Sequence, residues 1–150
     1  MTIDWQLKSF DELTNYEVYE ILHLRSRIFI VDQQSIYIDP DNYDQKALHL
    51  CAFSSNKIIA YARLFRSGDK IESATFGRVL VDQSLQKQGI GRELVSRSIA
   101  ILHQEYNENT IQIEAQLYLQ KFYSDYGFIP IGEPYIEDNV PHIRMVLHFQ

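Results

Sequence analysis

The sequence predicts an α/β fold of the mixed (α+β) kind, in which one mixed sheet is covered by a few helices. Three observations carry this. The chain has 150 residues, the length of one domain with one core, and its 45% hydrophobic and 23% charged residues are those of a globular chain. Seven β-rich stretches alternate with only three helical ones, an excess of strands over helices that fits a sheet with helices laid on it. No repeat, low-complexity stretch or linker-like Pro, Gly or Ser cluster divides the chain, so residues 1–150 are expected to form a single domain.

Taken in order, Ile3, Trp5 and Leu7 alternate with polar residues, which predicts a half-buried strand over 3–8. Two overlapping capping boxes follow, Ser9 with Glu12 and Thr14 with Glu17. Behind them Val18, Ile21, Leu22, Ile28 and Phe29 recur at helical spacing, predicting a helix from about 14 to about 30. Residues 32–46, rich in Asp and Asn, read as a polar loop. Ala47 to Phe53 and Lys57 to Phe65 form a hairpin about Ser54-Ser55-Asn56. After a turn at Ser67-Gly68-Asp69 come residues 71–82, whose end, Phe76 to Val81, reads as a strand, and Gly77 inside it marks a bulge or a close backbone approach. A helix with Leu94, Val95, Ile99, Leu102 and Tyr106 on one face comes next. A strand at 111–115 and an aromatic-rich helix at 117–126 stopped by Gly127 lead to strands at about 128–136 and 142–149.

Fourteen Lys and Arg against twenty Asp and Glu give a net charge of −6. Such a chain has no overall positive field for nucleic acid or an anionic membrane, and a cationic partner suits it better. Cys51 is the sole cysteine, so no intramolecular disulfide forms, which suits a reducing compartment. The longest apolar run, Ile58 to Ala62, falls far short of the ~20 residues that span a bilayer. The opening Met1-Thr2-Ile3-Asp4-Trp5 lacks the basic start and apolar core of a signal peptide. A soluble cytoplasmic protein is expected.

The chemistry concentrates at Gln86-Lys87-Gln88-Gly89-Ile90-Gly91, between a strand and a helix. The first turn of a helix leaves backbone N–H groups unpaired at the positive end of its dipole, and glycine lets an anion come close, so a diphosphate is the natural ligand. The competing reading is a glycine turn that merely starts a helix. A dinucleotide fingerprint is not met, since Leu94 stands where its third glycine belongs, and no P-loop occurs.

Gln86-x-x-Gly89-x-Gly91 directly after a strand, with Tyr123-x-x-x-Gly127-Phe128 one strand and one helix downstream, resembles the GNAT superfamily of N-acetyltransferases. The likeness extends to the element order of nearly the whole chain. Arg27 to Gln33, Tyr61-Ala62-Arg63, Gly77-Arg78-Val79 and Pro141-His142-Ile143 resemble its ElaA-like branch in particular. The resemblance implies a GNAT-like acyl-CoA N-acyltransferase fold, a predominantly antiparallel sheet flanked by helices. It also implies transfer of an acetyl group from acetyl-CoA, with no metal, to a primary amine of a small molecule, peptide or protein. The backbone of Val79, Leu80 and Val81 would pair with the pantetheine arm. Gln86, Lys87, Gln88, Gly89, Ile90, Gly91 and Arg92 would wrap the diphosphate, Lys87 and Arg92 meeting its charge from the side. Many members carry Asn seven residues before the tyrosine; Gln116 stands there and departs from the pattern.

Direct attack by an amine needs a neutral nucleophile, a donor for the developing oxyanion and a proton for the leaving thiolate. The resemblance gives the last task to Tyr123, a phenol neutral at pH 7; the alternative is packing against Phe122 and Tyr126. A main-chain N–H near Leu80, freed by the irregularity at Gly77, would meet the oxyanion. Glu114, Glu72 and His142 are the candidate bases. Asp32, Asp39, Asp41, Asp44, Glu137 and Asp138 either draw a cationic amine to the acceptor entrance or serve as ordinary turn residues.

Asp39-x-Asp41-x-Tyr43-Asp44 lacks the glycine and the bidentate Glu of a calcium loop, and the five histidines form no zinc motif. His49, His148 and Cys51 read as strand residues, Cys51 buried and inert. Arg27, Arg63 and Arg78 lie in apolar runs and call for carboxylate or carbonyl partners. The competing function is a non-catalytic CoA-binding sensor or docking module; transfer of a larger acyl group is a third reading. Exposed edge strands in such folds often pair between copies, which leaves a homodimer open.

Overall fold

The computed structural model describes residues 1–150. The chain runs β1 (Asp4–Ser9), α1 (Asn15–Arg25), β2 (Leu48–Ser54), β3 (Lys57–Phe65), β4 (Thr75–Val81), α2 (Ile90–Ala100), β5 (Thr110–Gln116), α3 (Gln120–Ser124), β6 (Ile129–Glu137) and β7 (Val140–His148). All ten expected elements form, in the expected order. Both capping boxes are made: Glu12 accepts from the Ser9 N–H at 2.9 Å, and Glu17 from the Thr14 N–H at 2.8 Å while its own N–H donates to Thr14 Oγ1.

The boundaries differ in three places. α1 is carried on by a π-helical stretch, Ser26–Asp32, and so outlasts the expected end at 30. The strand expected over Phe76–Val81 starts one residue earlier, at Thr75, after the Gly68 turn has closed on Ile71, whose carbonyl accepts from the Gly68 N–H at 2.8 Å. The helix expected over 117–126 splits into a 3₁₀ turn, Leu117–Leu119, and the short α3.

The strands form two antiparallel sheets, β1-β2-β3-β4 and β5-β7-β6. They meet where β4 and β5 begin side by side in parallel: Ala74 bridges Ile111, and the Gln112 N–H donates to the Ala74 carbonyl at 2.9 Å. No ladder joins the two strands beyond that point, so they part toward Val81 and Gln116. β3 is buried along nearly its whole length and serves two cores by alternation. Ala60, Ala62 and Leu64 join Leu94, Val95, Leu102, Ile111, Phe128 and Met145 in the larger core. Tyr61 joins Ile21, Cys51, Ile58 and Leu80 in a smaller one beneath α1. The small side chains Ala52, Ala60 and Ala62 on the larger-core face leave room for α2 to come close.

Candidate active site

The gap between the parting strands is a cleft of about 670 Å³, walled by Thr75–Val81 of β4 and Ile113–Gln116 of β5. Cofactor-sized ligands occupy spaces of this order.

At one end lies the glycine loop. Asp82 accepts from the Ser84 N–H at 2.9 Å and its hydroxyl at 2.8 Å, fixing a 3₁₀ turn over Gln83–Leu85. The chain then reverses through Lys87 (φ 67°) and Gly89 (φ 82°), left-handed conformations that the glycine adopts without strain. Gly89 caps α2 and its carbonyl takes the first intrahelical bond, from the Glu93 N–H. The N–H groups of Ile90, Gly91 and Arg92 therefore have no acceptor within the helix. Gln86 lines the cleft, and Lys87 and Arg92 stand on the exposed side of the turn.

Along β4, Arg63 pairs with Gly77 but Tyr61 with Leu80, so Arg78 and Val79 bulge opposite Ala62, and Arg78 takes φ 50°. The irregularity expected from Gly77 is thus present, one residue on. The Asp82 N–H donates to the Ile59 carbonyl at 2.8 Å. Antiparallel alternation then directs the Leu80 N–H to Tyr61 and turns the N–H and C=O of Val81 away from β3, toward the gap. By this alternation Leu80's own amide faces β3, and the outward groups near it are those of the neighbouring residues.

Tyr123 lines the cleft from α3 and is 6% exposed, its ring set among Phe76, Phe122 and Phe128 at centroid distances of 5.1 to 6.3 Å. Burial, with Tyr118 and Tyr126 nearby, pushes its phenol above the ordinary range, so it is neutral at pH 7. The Tyr126 hydroxyl donates to the Arg92 carbonyl at 2.8 Å, tying the end of α3 to the first turn of α2 and fixing Tyr123 relative to the glycine loop.

Gln116 ends β5 and exchanges two amide hydrogen bonds with Gln33, at 3.0 and 3.2 Å, linking the segment after α1 to the second sheet. Both residues line the cleft. Gln33 lies 83 residues from Gln116, and although it ends the stretch Arg27 to Gln33 that resembles the ElaA-like branch, nothing local paired it with Gln116.

Of the candidate bases, Glu114 and His142 line the cleft, whereas Glu72 is exposed outside it and drops out. The acidic residues divide. Glu137 and Asp138 line the cleft at the β6–β7 turn. Asp32 accepts from the Gln83 side chain. Asp39, Asp41 and Asp44 are taken up in a closed ring with three arginines. Arg25 meets Asp39 at 2.8 Å, Asp39 meets Arg78 at 2.9 Å, and Arg78 meets Asp41 at 3.6 Å. Arg63 joins Asp41 to Asp44 at 2.5 and 2.9 Å, and Asp44 returns to Arg25 at 2.8 Å. Three positive and three negative charges cancel, so these aspartates do not act as a lure for an amine; they fasten the 32–46 loop to α1, β3 and β4. Arg63 and Arg78 have their expected carboxylate partners. Arg27 is exposed and has none, and the buried cation is instead Arg25.

His49 is buried, with Nε2 at 2.9 Å from the Asp44 carbonyl and Nδ1 at 2.6 Å from the Tyr61 hydroxyl. A carbonyl only accepts, so Nε2 carries the proton and the tyrosine donates to Nδ1. His148 is exposed on β7 against Thr110. Cys51 is fully buried, and burial pushes its thiol up to about 12, which makes it inert.

Residues 28–149 match the family model described as an acetyltransferase (GNAT) domain. The chain is 34% identical over 145 residues to protein ElaA of Escherichia coli strain K12, covering 95% of each. The crystal structure of Escherichia coli ElaA superposes with a TM-score of 0.89, covering 97% of this chain and 99% of that one. An acyl-CoA N-acyltransferase from Pseudomonas aeruginosa superposes at 0.91 with 32% identity and the same coverage. With a cleft between parting strands, a glycine loop at the head of α2 and a tyrosine on α3, the chain belongs to the GNAT superfamily of acyl-CoA-dependent transferases, in its ElaA-like branch.

Proposed function

We propose that this protein is an N-acetyltransferase that moves an acetyl group from acetyl-CoA to a primary amine. The observation that carries the reading is that one cleft is lined by Gln86, which leads into the glycine loop and the unpaired amides at the head of α2, and by the buried Tyr123. The diphosphate lies against the N–H groups from Gln86 to Arg92. Gly91 supports this: a methyl group there would stand 3.7 Å from Val81 Cγ2, an ordinary contact, so the protein's own packing does not demand glycine and close approach of a ligand gives a reason for it. The pantetheine arm runs beside Val79, Leu80 and Val81, bonding the outward main-chain groups as an added strand would.

The amine nitrogen attacks the thioester carbonyl, and the oxyanion is met by a main-chain N–H of the bulged stretch around Val79–Val81. The C–S bond breaks and the Tyr123 phenol gives its proton to the thiolate. Gln116 reaches the arm only by giving up Gln33, or leaves that contact to its neighbours. No helix is long and apolar enough to cross a membrane; the lone buried thiol suits the reducing cytoplasm in which we place the enzyme. The test is free-thiol release from acetyl-CoA across a panel of small amines and lysine peptides. Tight acetyl-CoA binding with no thiol released on any amine would favour a CoA sensor.

A further inference from the structure

We propose that His142 is the base that takes the proton of the acceptor ammonium, with Nδ1–H committed to the protein and Nε2 left free at the cleft wall. This rests on the acetyl-transfer reading above. Its Nδ1 lies 2.7 Å from the Val140 carbonyl. A carbonyl has no proton to give, so Nδ1 carries the hydrogen and the lone pair of the neutral ring is on Nε2. The ring lies nearly parallel to that of Tyr135, with 5.9 Å between centroids and 23° between planes. In register, His142 faces Gln116 of β5 on one side and Tyr135 of β6 on the other, which puts it at the open end of the parting strands.

The rival bases are worse placed. Glu72 is outside the cleft. The Glu114 carboxylate lies 3.6 Å from Arg144 and beside the buried Tyr135 phenol, which burial and Glu114 push up to about 12. An imidazole also exchanges protons near neutral pH, where a carboxylate is a weak base. Around His142 stand Glu114 of β5, Tyr135 and Glu137 of β6, Asp138 of the turn and Arg144 of β7, with Tyr37 and Arg78 across the cleft.

The protons balance. His142 takes one from the ammonium, and the free amine forms the C–N bond. Tyr123 protonates the departing thiolate and regains its proton from the new amide nitrogen as the tetrahedral intermediate collapses. His142 returns its own to solvent.

The test combines kinetics with nitrogen-15 NMR of the imidazoles. Thiol release should show an acid limb in its kcat/KM profile, and His142→Gln should abolish the limb and lower kcat/KM ~10² to 10³-fold with acetyl-CoA affinity unchanged. Glu114→Gln should keep the limb. In the unmodified protein the neutral His142 ring should be the Nδ1–H tautomer. Turnover with the limb intact in His142→Gln, or an Nε2–H tautomer, overturns the assignment and leaves acetyl transfer standing. Acetyl-CoA binding without turnover on any amine overturns acetyl transfer itself, and the base with it.

Discussion

The Arg25 guanidinium and the Asp39 carboxylate lie 2.8 Å apart with 0% and 1% of their side chains exposed, a fully desolvated ion pair at the root of the loop that walls the cleft. Each charge is tolerable only because the other is there, and because Asp44, Arg78 and the Asp39 main-chain carbonyl extend the pairing. Arg25→Met keeps the bulk of the stem but leaves two cations facing three anions. Unfolding should become easier by about 3 to 5 kcal/mol, seen as a lower urea midpoint with unchanged slope. A loss under about 1 kcal/mol would mean that the ring has little hold on the fold.

The same ring sets the response to acid. Burial raises the carboxyls of Asp41 and Asp44, but the hydrogen bonds and charges of Arg63 and Arg25 outweigh it and hold both below the usual carboxylate range. A carboxyl depressed in the folded state stabilises fully above its unfolded value of ~3.9 and loses that contribution as pH falls through the folded value. The urea midpoint should therefore hold from pH 7 to 5 and decline steadily below about 4. Arg63→Gln should start lower and lose less over the acid range; parallel curves would disprove the linkage.

In the glycine loop, Gly89→Glu sets a carboxylate at the proposed diphosphate site, and on that reading calorimetry should find acetyl-CoA binding abolished. No atom lies within 4 Å of a Cβ at 89, so the cost to the fold is the φ of 82° alone, about 1 to 2 kcal/mol. Gly89→Ala carries the same strain without the charge and should keep most of the affinity. Equal affinity in Gly89→Glu and the unmodified chain would remove the loop from the site.

Tyr123→Phe deletes one oxygen from a ring packed on three aromatic neighbours, and the melting temperature should barely move. If the phenol supplies the thiolate's proton, kcat should fall ~10² to 10⁴-fold with little change in acetyl-CoA affinity. Unchanged kcat would reduce Tyr123 to packing.

Where the determinants were local, the sequence sufficed. Thr14 with Glu17, the Gly77 irregularity and Gly127, at φ 97°, each show in a few consecutive residues. The ring is different: its partners lie 14 to 39 residues apart, and side-chain pairing over that span leaves no periodic trace. Its aspartates therefore read as solvated turn residues or an amine lure. One signal for Arg25 was present. It stands four residues after Ile21 and four before Phe29, on the helix's apolar stripe, whereas Arg27 lies off it. The Leu80 amide depended on which residues of β4 are hydrogen-bonded to β3, a matter of register that alternation within one strand does not specify.

The lone bridge at Ala74 and Ile111 makes the two sheets covers of a book bound at a single stitch. With every other β4 and β5 ladder bond committed to its own sheet, the gap cannot be resized by sliding one strand along the other. The length of acyl tail admitted then depends on the volume of the side chains that floor the opening, Phe76 and Tyr123 among them. Donor preference in such a frame shifts by single substitutions, with the backbone left where it is.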